Sequence, residues 1–264
     1  MTEINSIENI VKEVSKTILM PFYQQVKAQT KADGSLITEA DISVQDAIEK
    51  KLLELYPDYG FFAEELSSEA LESFFLHNQT GYWCLDPIDG TSNFAAGLPF
   101  FSISLALIIN GETQLGLIYD PVRDECFTAL KGQGAYMNGK LIGRSNEPQQ
   151  LKDCLALVDF KRLCTTLSCQ IITRPPYRSQ RSFGSIALDW CWLAMGRGHI
   201  YVHGKQMLWD YAAGLLIAEE ADCVACSFGE EEQSNTIFEE SLKPKKVIAS
   251  VNEKLQKQWL KVIT

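Results

Sequence analysis

A run of short strand-like segments between residues 82 and 138 limits most strongly what this chain can fold into. Glycines and turn residues separate the segments, which read YWCL, FSISLALI, TQLGLIYD, ECFTAL and GAYMN. The second half alternates instead: strand-like CLALV (154–158), a helix from about Ser185 to Ala194, a strand at HIYVH, a helix from Tyr211 to Ala221, a strand at KKVIAS and a final helix. Consecutive strands in the first half and alternating strands and helices in the second predict an α+β half joined to an α/β half.

The N-terminal part adds two predicted helices. Apolar residues recur at helical spacing from Ile4 to Ile18, so an amphipathic helix is predicted over residues 3–28. A polar loop, KADGSL, precedes a second helix over 38–55, and a short strand GFFA then leads into Glu64. Because no repeat, linker or low-complexity segment divides the chain, we predict one domain over 1–264, with lobes of about 1–148 and 149–264.

Composition narrows the class of protein. The net charge is −10 and the pI is near 4.9, with no block of Lys or Arg, which argues against a nucleic-acid partner. The longest apolar run, FFSISLALII, is too short to span a bilayer, and the N-terminus does not read as a signal peptide. The eight scattered cysteines indicate reduced thiols and a cytoplasmic location. The C-x-x-C of Cys223 and Cys226 predicts ordinary packing.

Two aspartates three positions apart stand in the segment DPIDGTSNF. Asp86 and Asp89 repel each other unless a cation neutralises them or one takes up a proton. Further acids occupy comparable strand or helix ends at Asp41, Glu64 and Asp210. Such oxygen ligands suit Mg²⁺ or Mn²⁺ better than zinc, so a metal site is predicted. Taken singly, each acid has an ordinary reading, since Asp210 could simply cap its helix and Glu64 could be a solvated surface charge.

DPIDGTSNF together with WDYAAGLLIAEEA resembles the two signature motifs of the inositol monophosphatase family, and the resemblance runs over nearly the whole chain. It implies a layered αβαβα sandwich of the type shared with fructose-bisphosphatases. It also implies a homodimer, a small phosphorylated substrate, Mg²⁺ as cofactor with Mn²⁺ as a possible substitute, and inhibition by Li⁺. The implied metal ligands are Glu64, Asp86, the backbone carbonyl of Ile88, Asp89 and Asp210.

The same resemblance implies the remaining site residues. Thr91 and Asp41 would orient and deprotonate the attacking water, and Glu64 would act with them in catalysis. The implied substrate-binding residues are Asp89, Gly90, Thr91, Gly184, Ser185, His203 and Asp210. The expected reaction is Mg²⁺-dependent hydrolysis of a phosphate monoester by metal-activated water, without a phosphoenzyme.

Other readings stay open or are rejected on spacing. The D-x-x-D spacing is one residue longer than the D-x-D of haloacid-dehalogenase phosphatases, which rejects that class. Within the superfamily, a 3′(2′),5′-bisphosphate nucleotidase, a histidinol-phosphatase or a sugar phosphatase are alternatives. A catalytically silent binding or regulatory protein on the same fold is an alternative of another class.

The chain departs from the family pattern at positions that bear on the substrate. His203 stands seven residues before Asp210, where inositol-specific members carry a glutamate, and Ile186 replaces a small residue. We expect His203 to face the leaving alcohol and set substrate choice, the alternative being a packed strand-end residue. Five basic residues are candidates for a second anionic group or are solvated loop charges: Lys161, Arg162, Arg174, Arg178 and Arg181.

Overall fold

The computed structural model describes residues 2–23, 28–30, 36–66, 74, 81–143, 148–228 and 243–264. The chain opens with helix α1 (Thr2–Val14), a π-helical turn (Ser15–Leu19) and helix α2 (Met20–Phe22). The prediction of one helix to residue 28 is wrong, because Tyr23 leaves the helical region with φ −54° and ψ 131°. Strand β1 (Ala28–Thr30) pairs with β2 (Leu36–Thr38), and the predicted loop between them lies outside the described residues.

The predicted strands of the first half form one seven-stranded sheet in the order β3-β4-β5-β6-β7-β8-β9. Helix α3 (Glu39–Leu55) precedes it, as predicted, and β3 (Gly60–Ala63) pairs parallel with β4 (Gly81–Asp89). The other pairs are antiparallel, and helix α4 (Thr91–Ala95) follows β4. The remaining strands are β5 (Ser102–Ile109), β6 (Glu112–Asp120), β7 (Glu125–Leu130), β8 (Ala135–Met137) and β9 (Lys140–Ile142).

The second half forms a mixed five-stranded sheet in the order β11-β10-β12-β14-β13. Its strands are β10 (Leu155–Val158), β11 (Ser179–Arg181), β12 (Ile200–Gln206), β13 (Val224–Ser227) and β14 (Lys245–Ser250). Its helices are α5 (Thr165–Thr173), α6 (Ile186–Ala194), α7 (Leu208–Glu220) and α8 (Glu253–Ile263). The predicted alternation of helices and strands is confirmed. Helix α5 and strands β11 and β13 are additions to it.

Two hydrophobic cores lie on opposite faces of the seven-stranded sheet, because successive strand residues point to opposite sides. Trp83 and Leu85 of β4 pack with α1 and α3, whereas Tyr82 and Cys84 belong to the core that contains α6, α7 and the second sheet. Apolar residues of α5 and α8 join the same second core. The predicted layered αβαβα architecture is therefore confirmed.

Two glycines permit close packing at the middle layer. A Cβ at Gly116 of β6 would lie 2.6 Å from the Ala213 carbonyl oxygen, and one at Gly214 would lie 2.6 Å from the Cβ of Trp190. Helix α7 therefore approaches both the central sheet and helix α6 at backbone distance. This packing fixes the start of α7, where Asp210 lies.

The cysteines and the helices bear on two further predictions. All eight thiols are free, Cys223 is buried, and Cys226 is half-buried, as packing side chains would be. Within the described ranges, no helix combines the length and apolar character needed to cross a bilayer.

Candidate active site

Glu64 and Asp86 lie beside each other at the ends of two parallel strands. The register pairs Ala63 with Leu85, and the backbone N–H of Glu64 donates to the Leu85 carbonyl over 3.2 Å. The next residue on each strand is therefore an acid. Asp86 is 2% exposed, and its Oδ1 accepts the N–H of Ile88 over 3.1 Å.

A bulge turns Asp89 back towards Asp86. In a regular strand, residues three positions apart point to opposite faces. Here Asp86 pairs with Ser104 and Asp89 pairs with Ser102, so β4 uses three steps where β5 uses two. The extra residue of the bulge lets both carboxylates lie on one side of the sheet. The Pro-Ile pair between the two aspartates occupies this irregular stretch.

The start of helix α6 holds the carboxylate of Asp89. Its Oδ2 accepts the Ser185 hydroxyl and the N–H of Ala187, the latter over 2.8 Å, and its Oδ1 accepts the N–H of Ile186 over 3.1 Å. The Ser185 hydroxyl also caps α6 by accepting the N–H of Leu188 over 3.4 Å. These hydrogen bonds orient the buried carboxylate of Asp89, for which the described residues of DPIDGTSNF provide no donor.

Gly90 and Gly184 bring two loops together next to this carboxylate. Gly90 has a φ of 97°, and a Cβ there would lie 3.1 Å from the Phe100 carbonyl oxygen and 3.2 Å from that of Gly184. The Asn93 amide donates to the carbonyls of Phe100 and Phe183, each over 2.7 Å. Asn93 therefore joins the loops after β4 and β11. Sequence reasoning did not single out Asn93, although it lies inside the DPIDGTSNF motif.

Asp210 reaches the same region from helix α7. Its Oδ2 accepts the N–H of Met207 over 2.7 Å. Ser104, which pairs with Asp86, donates its hydroxyl to the Trp209 carbonyl over 3.3 Å and so ties the start of α7 to the sheet. Asp210 does cap its helix, but as the N3 residue whose side chain accepts the N–H of the N-cap, not as the N-cap of a helix starting at Tyr211. The helix starts at Leu208, and its N-cap residue is Met207.

The carboxylates act on one another electrostatically. Burial raises the pKa of Asp86 well above its usual value, and the charges of Glu64, Asp89, Asp210 and Asp41 raise it further. Burial and Glu64 likewise raise the pKa of Asp210, against the hydrogen bond from Met207. Burial raises the pKa of Asp89 despite the hydrogen bonds from Ser185 and α6. The structure thus brings the other four predicted acids within electrostatic reach of Asp86.

Thr91, Ile88 and Asp41 complete the predicted set. The Thr91 hydroxyl donates to the Ile88 carbonyl over 2.9 Å, so these two oxygens are adjacent. Asp41 is 2% exposed in the first turn of α3. Their roles with metal and water stay predictions.

The donor set fits a hard divalent cation. As the described residues are placed, no three Asp, Glu, His or Cys side chains are close enough to hold a metal. Two features account for this spacing. Carboxylates without a counter-charge repel one another, and backbone N–H groups hold the carboxylates of Asp89 and Asp210. All the candidate ligands are nevertheless oxygens. Burial and then neighbouring carboxylates raise the pKa values of Asp86 and Asp210, and a divalent cation would relieve that repulsion.

The second half places other charged residues near the cluster. His203 is buried and lies 3.3 Å from Asp159, measured from Nε2 to Oδ2. Asp189 of α6 is also buried, and its Oδ1 has no hydrogen-bond partner. All five basic candidates are exposed: Lys161, Arg162, Arg174, Arg178 and Arg181. The charge of Arg162 offsets part of the rise in the pKa of Asp210. Sequence reasoning missed Asp159 and Asp189, whose only signal is an acid just after a strand or early in a helix.

The layered fold and the carboxylates at its strand and helix ends fit a phosphoric monoester hydrolase, the class that the family comparison shows. A model of the inositol monophosphatase family matches residues 2–263. The chain belongs to that family.

Known relatives agree with this assignment. Inositol monophosphatase 1 of Solanum lycopersicum is 35% identical over 217 residues, which cover 80% of this chain and 78% of the relative. The fructose-1,6-bisphosphatase/inositol-1-monophosphatase of Thermotoga maritima is 34% identical over 248 residues, covering 89% and 91%. The crystal structure of the extragenic suppressor protein SuhB from Bartonella henselae superposes with a TM-score of 0.84 at 26% identity, covering 100% of this chain and 99% of that one.

Proposed function

We propose that this phosphatase hydrolyses inositol 1-phosphate or a closely related polyol monophosphate, with Mg²⁺ as cofactor and Mn²⁺ as a possible substitute. One observation carries the proposal. Asp86 and Asp89 are buried, Asp210 is half-buried, and burial raises the pKa of all three, with neighbouring carboxylates raising those of Asp86 and Asp210 further. The naming of a tomato relative as an inositol monophosphatase supports the substrate class.

The metal would be held by Glu64, Asp86, Asp89, Asp210 and the carbonyl of Ile88. When bound, a divalent ion supplies a hydroxide nucleophile at neutral pH and stabilises the leaving oxygen. A solved structure that shares this fold, an inositol monophosphatase/NADP phosphatase, carries Mg²⁺ and phosphate. That ion is consistent with the oxygen ligands of this chain.

The chain's own side chains would position the water and the ester. The Thr91 hydroxyl donates to the Ile88 carbonyl, so its free lone pair is held in a fixed direction for the attacking water. The carboxylate of Asp41 would receive the water's proton, together with Glu64 on the neighbouring strand end. The N–H groups of Gly90 and Thr91, at the start of α4, would hold the non-bridging phosphate oxygens.

Substrate contacts are further proposed for Gly184, Ser185, Asp89 and Asp210, with His203 acting on the alcohol indirectly through its neighbour Asp159. We also propose a homodimer in the cytoplasm, without nucleic-acid or membrane partners. Lithium is expected to inhibit at the carboxylates of Asp86, Asp89 and Asp210. A crystal structure of staphylococcal inositol monophosphatase-1, which shares this fold, is a lithium chloride-soaked inhibitory complex.

Phosphate release from a panel of esters tests the proposal. The panel contains inositol 1-phosphate, a 3′,5′-bisphosphate nucleotide, histidinol phosphate and sugar phosphates, each assayed with Mg²⁺ and with EDTA. We expect the highest kcat/KM for inositol 1-phosphate and no turnover in EDTA. A preference for another ester would establish one of the alternative phosphatases. No release from any ester by correctly folded, Mg²⁺-loaded protein would establish the silent binding protein.

A further inference from the structure

The ring of His203 has both nitrogens engaged within the protein. It is 1% exposed, its Nδ1 accepts the N–H of Lys205 over 3.3 Å, and its Nε2 lies 3.3 Å from Oδ2 of Asp159. Because Nδ1 accepts from a backbone donor, the ring proton of neutral His203 belongs on Nε2 and is donated to Asp159. Tyr201 stacks on the ring at 6.4 Å between centroids. A substrate hydroxyl could bond to His203 only by displacing one of these partners.

Asp159 has the accessibility that His203 lacks. Its side chain is 25% exposed. Its Oδ1 accepts the N–H of Lys161 over 3.0 Å, and its Oδ2 faces His203. A carboxylate oxygen accepts two hydrogen bonds, so each oxygen of Asp159 has a lone pair beyond these contacts. Asp159 can therefore accept hydroxyl donors from outside the protein.

The backbone holds Asp159 in place. It is the N-cap of the short 3₁₀ turn Phe160–Arg162 that follows β10. A Cβ at Gly204 of β12 would overlap the carbonyl of Arg162, so the turn lies directly against β12. Strands β10 and β12 are parallel, and the register pairs Val158 with Val202. Asp159 and His203 consequently stand side by side at the same ends of neighbouring strands.

Helix α6 connects this pair to the carboxylate cluster. Tyr201 of β12 contacts Trp190 of α6 at 5.1 Å between ring centroids. The N–H groups of Ile186 and Ala187 at the start of α6 hold Asp89, which is a predicted metal ligand. Burial raises the pKa of Asp189, and both Asp89 and Asp159 add to that effect. Burial alone would raise the pKa of Asp159 itself, but hydrogen bonds from His203 and from the N–H of Lys161 and the positive charge of Arg162 hold it below its usual value. Asp159 is therefore a charged acceptor near the metal site.

We propose that Asp159 is the specificity-determining residue that accepts hydrogen bonds from hydroxyls of the substrate's alcohol, and that His203 is the positioning residue that orients it. The inference deepens the proposed phosphatase function and rests on it. A negative acceptor favours an alcohol that carries several hydroxyl donors and disfavours one that carries a second phosphate at this point. The substrate class is thus a polyol monophosphate.

Relative kinetics of Asp159→Asn test the proposal. The measured quantity is kcat/KM for inositol 1-phosphate divided by kcat/KM for 4-nitrophenyl phosphate, whose alcohol offers no hydroxyl. We expect the ratio to fall about tenfold or more, mainly through KM for the polyol ester, because asparagine offers one neutral acceptor oxygen where aspartate offers two charged ones. Asp153→Asn is the matched control at the other end of β10, where the side chain is exposed, and should leave the ratio unchanged.

Variants of His203 separate positioning from structural support. His203→Gln keeps an N–H donor for Asp159 and should retain most of the ratio, whereas His203→Ala should lower it. In the double variant Asp159→Asn, His203→Ala, the second change should add little, since His203 acts through Asp159. If Asp159→Asn does not fold, as judged by circular dichroism, Asp159→Glu keeps the charge and is expected to change the order of preference among polyol esters.

The outcomes distinguish the two levels of inference. Wild-type protein that releases phosphate from no ester would refute the proposed function and this inference with it. Wild-type activity with a ratio unchanged in Asp159→Asn would refute the inference alone. A ratio that falls for His203→Ala in the Asp159→Asn background would show that His203 acts on the substrate directly, which also overturns it.

Discussion

Asp89 is the residue at which the two halves of the chain meet, because β4 carries it and the start of α6 holds its carboxylate. Asp89→Asn should lower kcat by at least about 100-fold, more than loss of a residue that only supports a ligand. The substitution removes one negative charge from the predicted metal ligands. It also removes one carboxylate oxygen that accepts the N–H of Ala187. Enzyme assays at saturating Mg²⁺ and calorimetry of Mg²⁺ binding would measure both losses.

The matched control for this variant is Asp58→Asn, in the exposed turn before β3. It removes the same charge far from the cluster and should retain wild-type kinetics. Circular dichroism should stay native for both proteins. Near-normal turnover by Asp89→Asn would remove Asp89 from the set of ligands.

Ser185 acts on Asp89 and on helix α6 with one hydroxyl. Ser185→Ala removes a helix cap, which costs about 1 kcal/mol of unfolding free energy, and also removes a donor that orients a predicted ligand. We expect Mg²⁺ affinity to fall about 10- to 100-fold. Ser185→Thr keeps the hydroxyl and should restore both quantities in urea unfolding and calorimetry. Equal Mg²⁺ affinities for the alanine variant and wild type would contradict this positioning.

At the scale of secondary-structure elements, helix α7 packs closely against β6 because Gly116 has no side chain. A Cβ at Gly116 would lie 2.6 Å from the Ala213 carbonyl oxygen, so Gly116→Ala must push α7 off β6. Overpacking of this kind costs about 1–3 kcal/mol of unfolding free energy. Gly143→Ala is the control, because nothing lies within 4 Å of its Cβ and it should change stability by less than about 0.5 kcal/mol. Equal urea midpoints for the two variants would show that the stability of the protein does not depend on close packing of α7 against β6 at Gly116.

Strands with strong local patterns could be predicted from the sequence. The segments ECFTAL and KKVIAS form strands with the predicted bounds, because alternating or branched apolar residues and flanking turns define them locally. The end of the first helix could not be predicted, since apolar spacing continues past Phe22 while the backbone at Tyr23 turns extended. Nor could the start of α7, where Met207 is an uncharacteristic N-cap.

The acids of the site could be predicted as residue types, but their supports could not. The bulge that places Asp86 and Asp89 on one side arises from the pairing of β4 with β5. The engagement of His203 by Asp159 arises from the pairing of β10 with β12, and no spacing in the sequence reveals it. Such contacts join residues distant in the chain, so local patterns carry no signal of them.

At the scale of the whole molecule, the fold holds together charges that repel. Asp86 and Asp89 come from the central sheet, Asp210 from the middle helices and Asp41 from the outer helix layer. Folding therefore concentrates negative charge that the unfolded chain disperses. The raised pKa values express the free-energy cost at neutral pH of burying Asp86, Asp89 and Asp210 and, for Asp86 and Asp210, of bringing them close to other carboxylates.

This cost predicts how Mg²⁺ and pH together set stability. Because the folded-state pKa values are raised, the native protein binds more protons than the unfolded chain. The stabilisation from these groups is complete below about pH 4, the usual carboxyl pKa, and is lost as pH rises through the raised values. In EDTA, the unfolding free energy should therefore fall from pH 5 to pH 8.

Mg²⁺ at about 100 times its Kd should add about 2.7 kcal/mol to the unfolding free energy at pH 8, and less at pH 5, where protons compete with it. Urea unfolding at both pH values, with EDTA and with Mg²⁺, measures the four free energies, and Asp210→Asn should reduce both the pH dependence in EDTA and the gain from Mg²⁺. A gain from Mg²⁺ that is the same at both pH values would mean that the ion binds elsewhere than at these carboxylates.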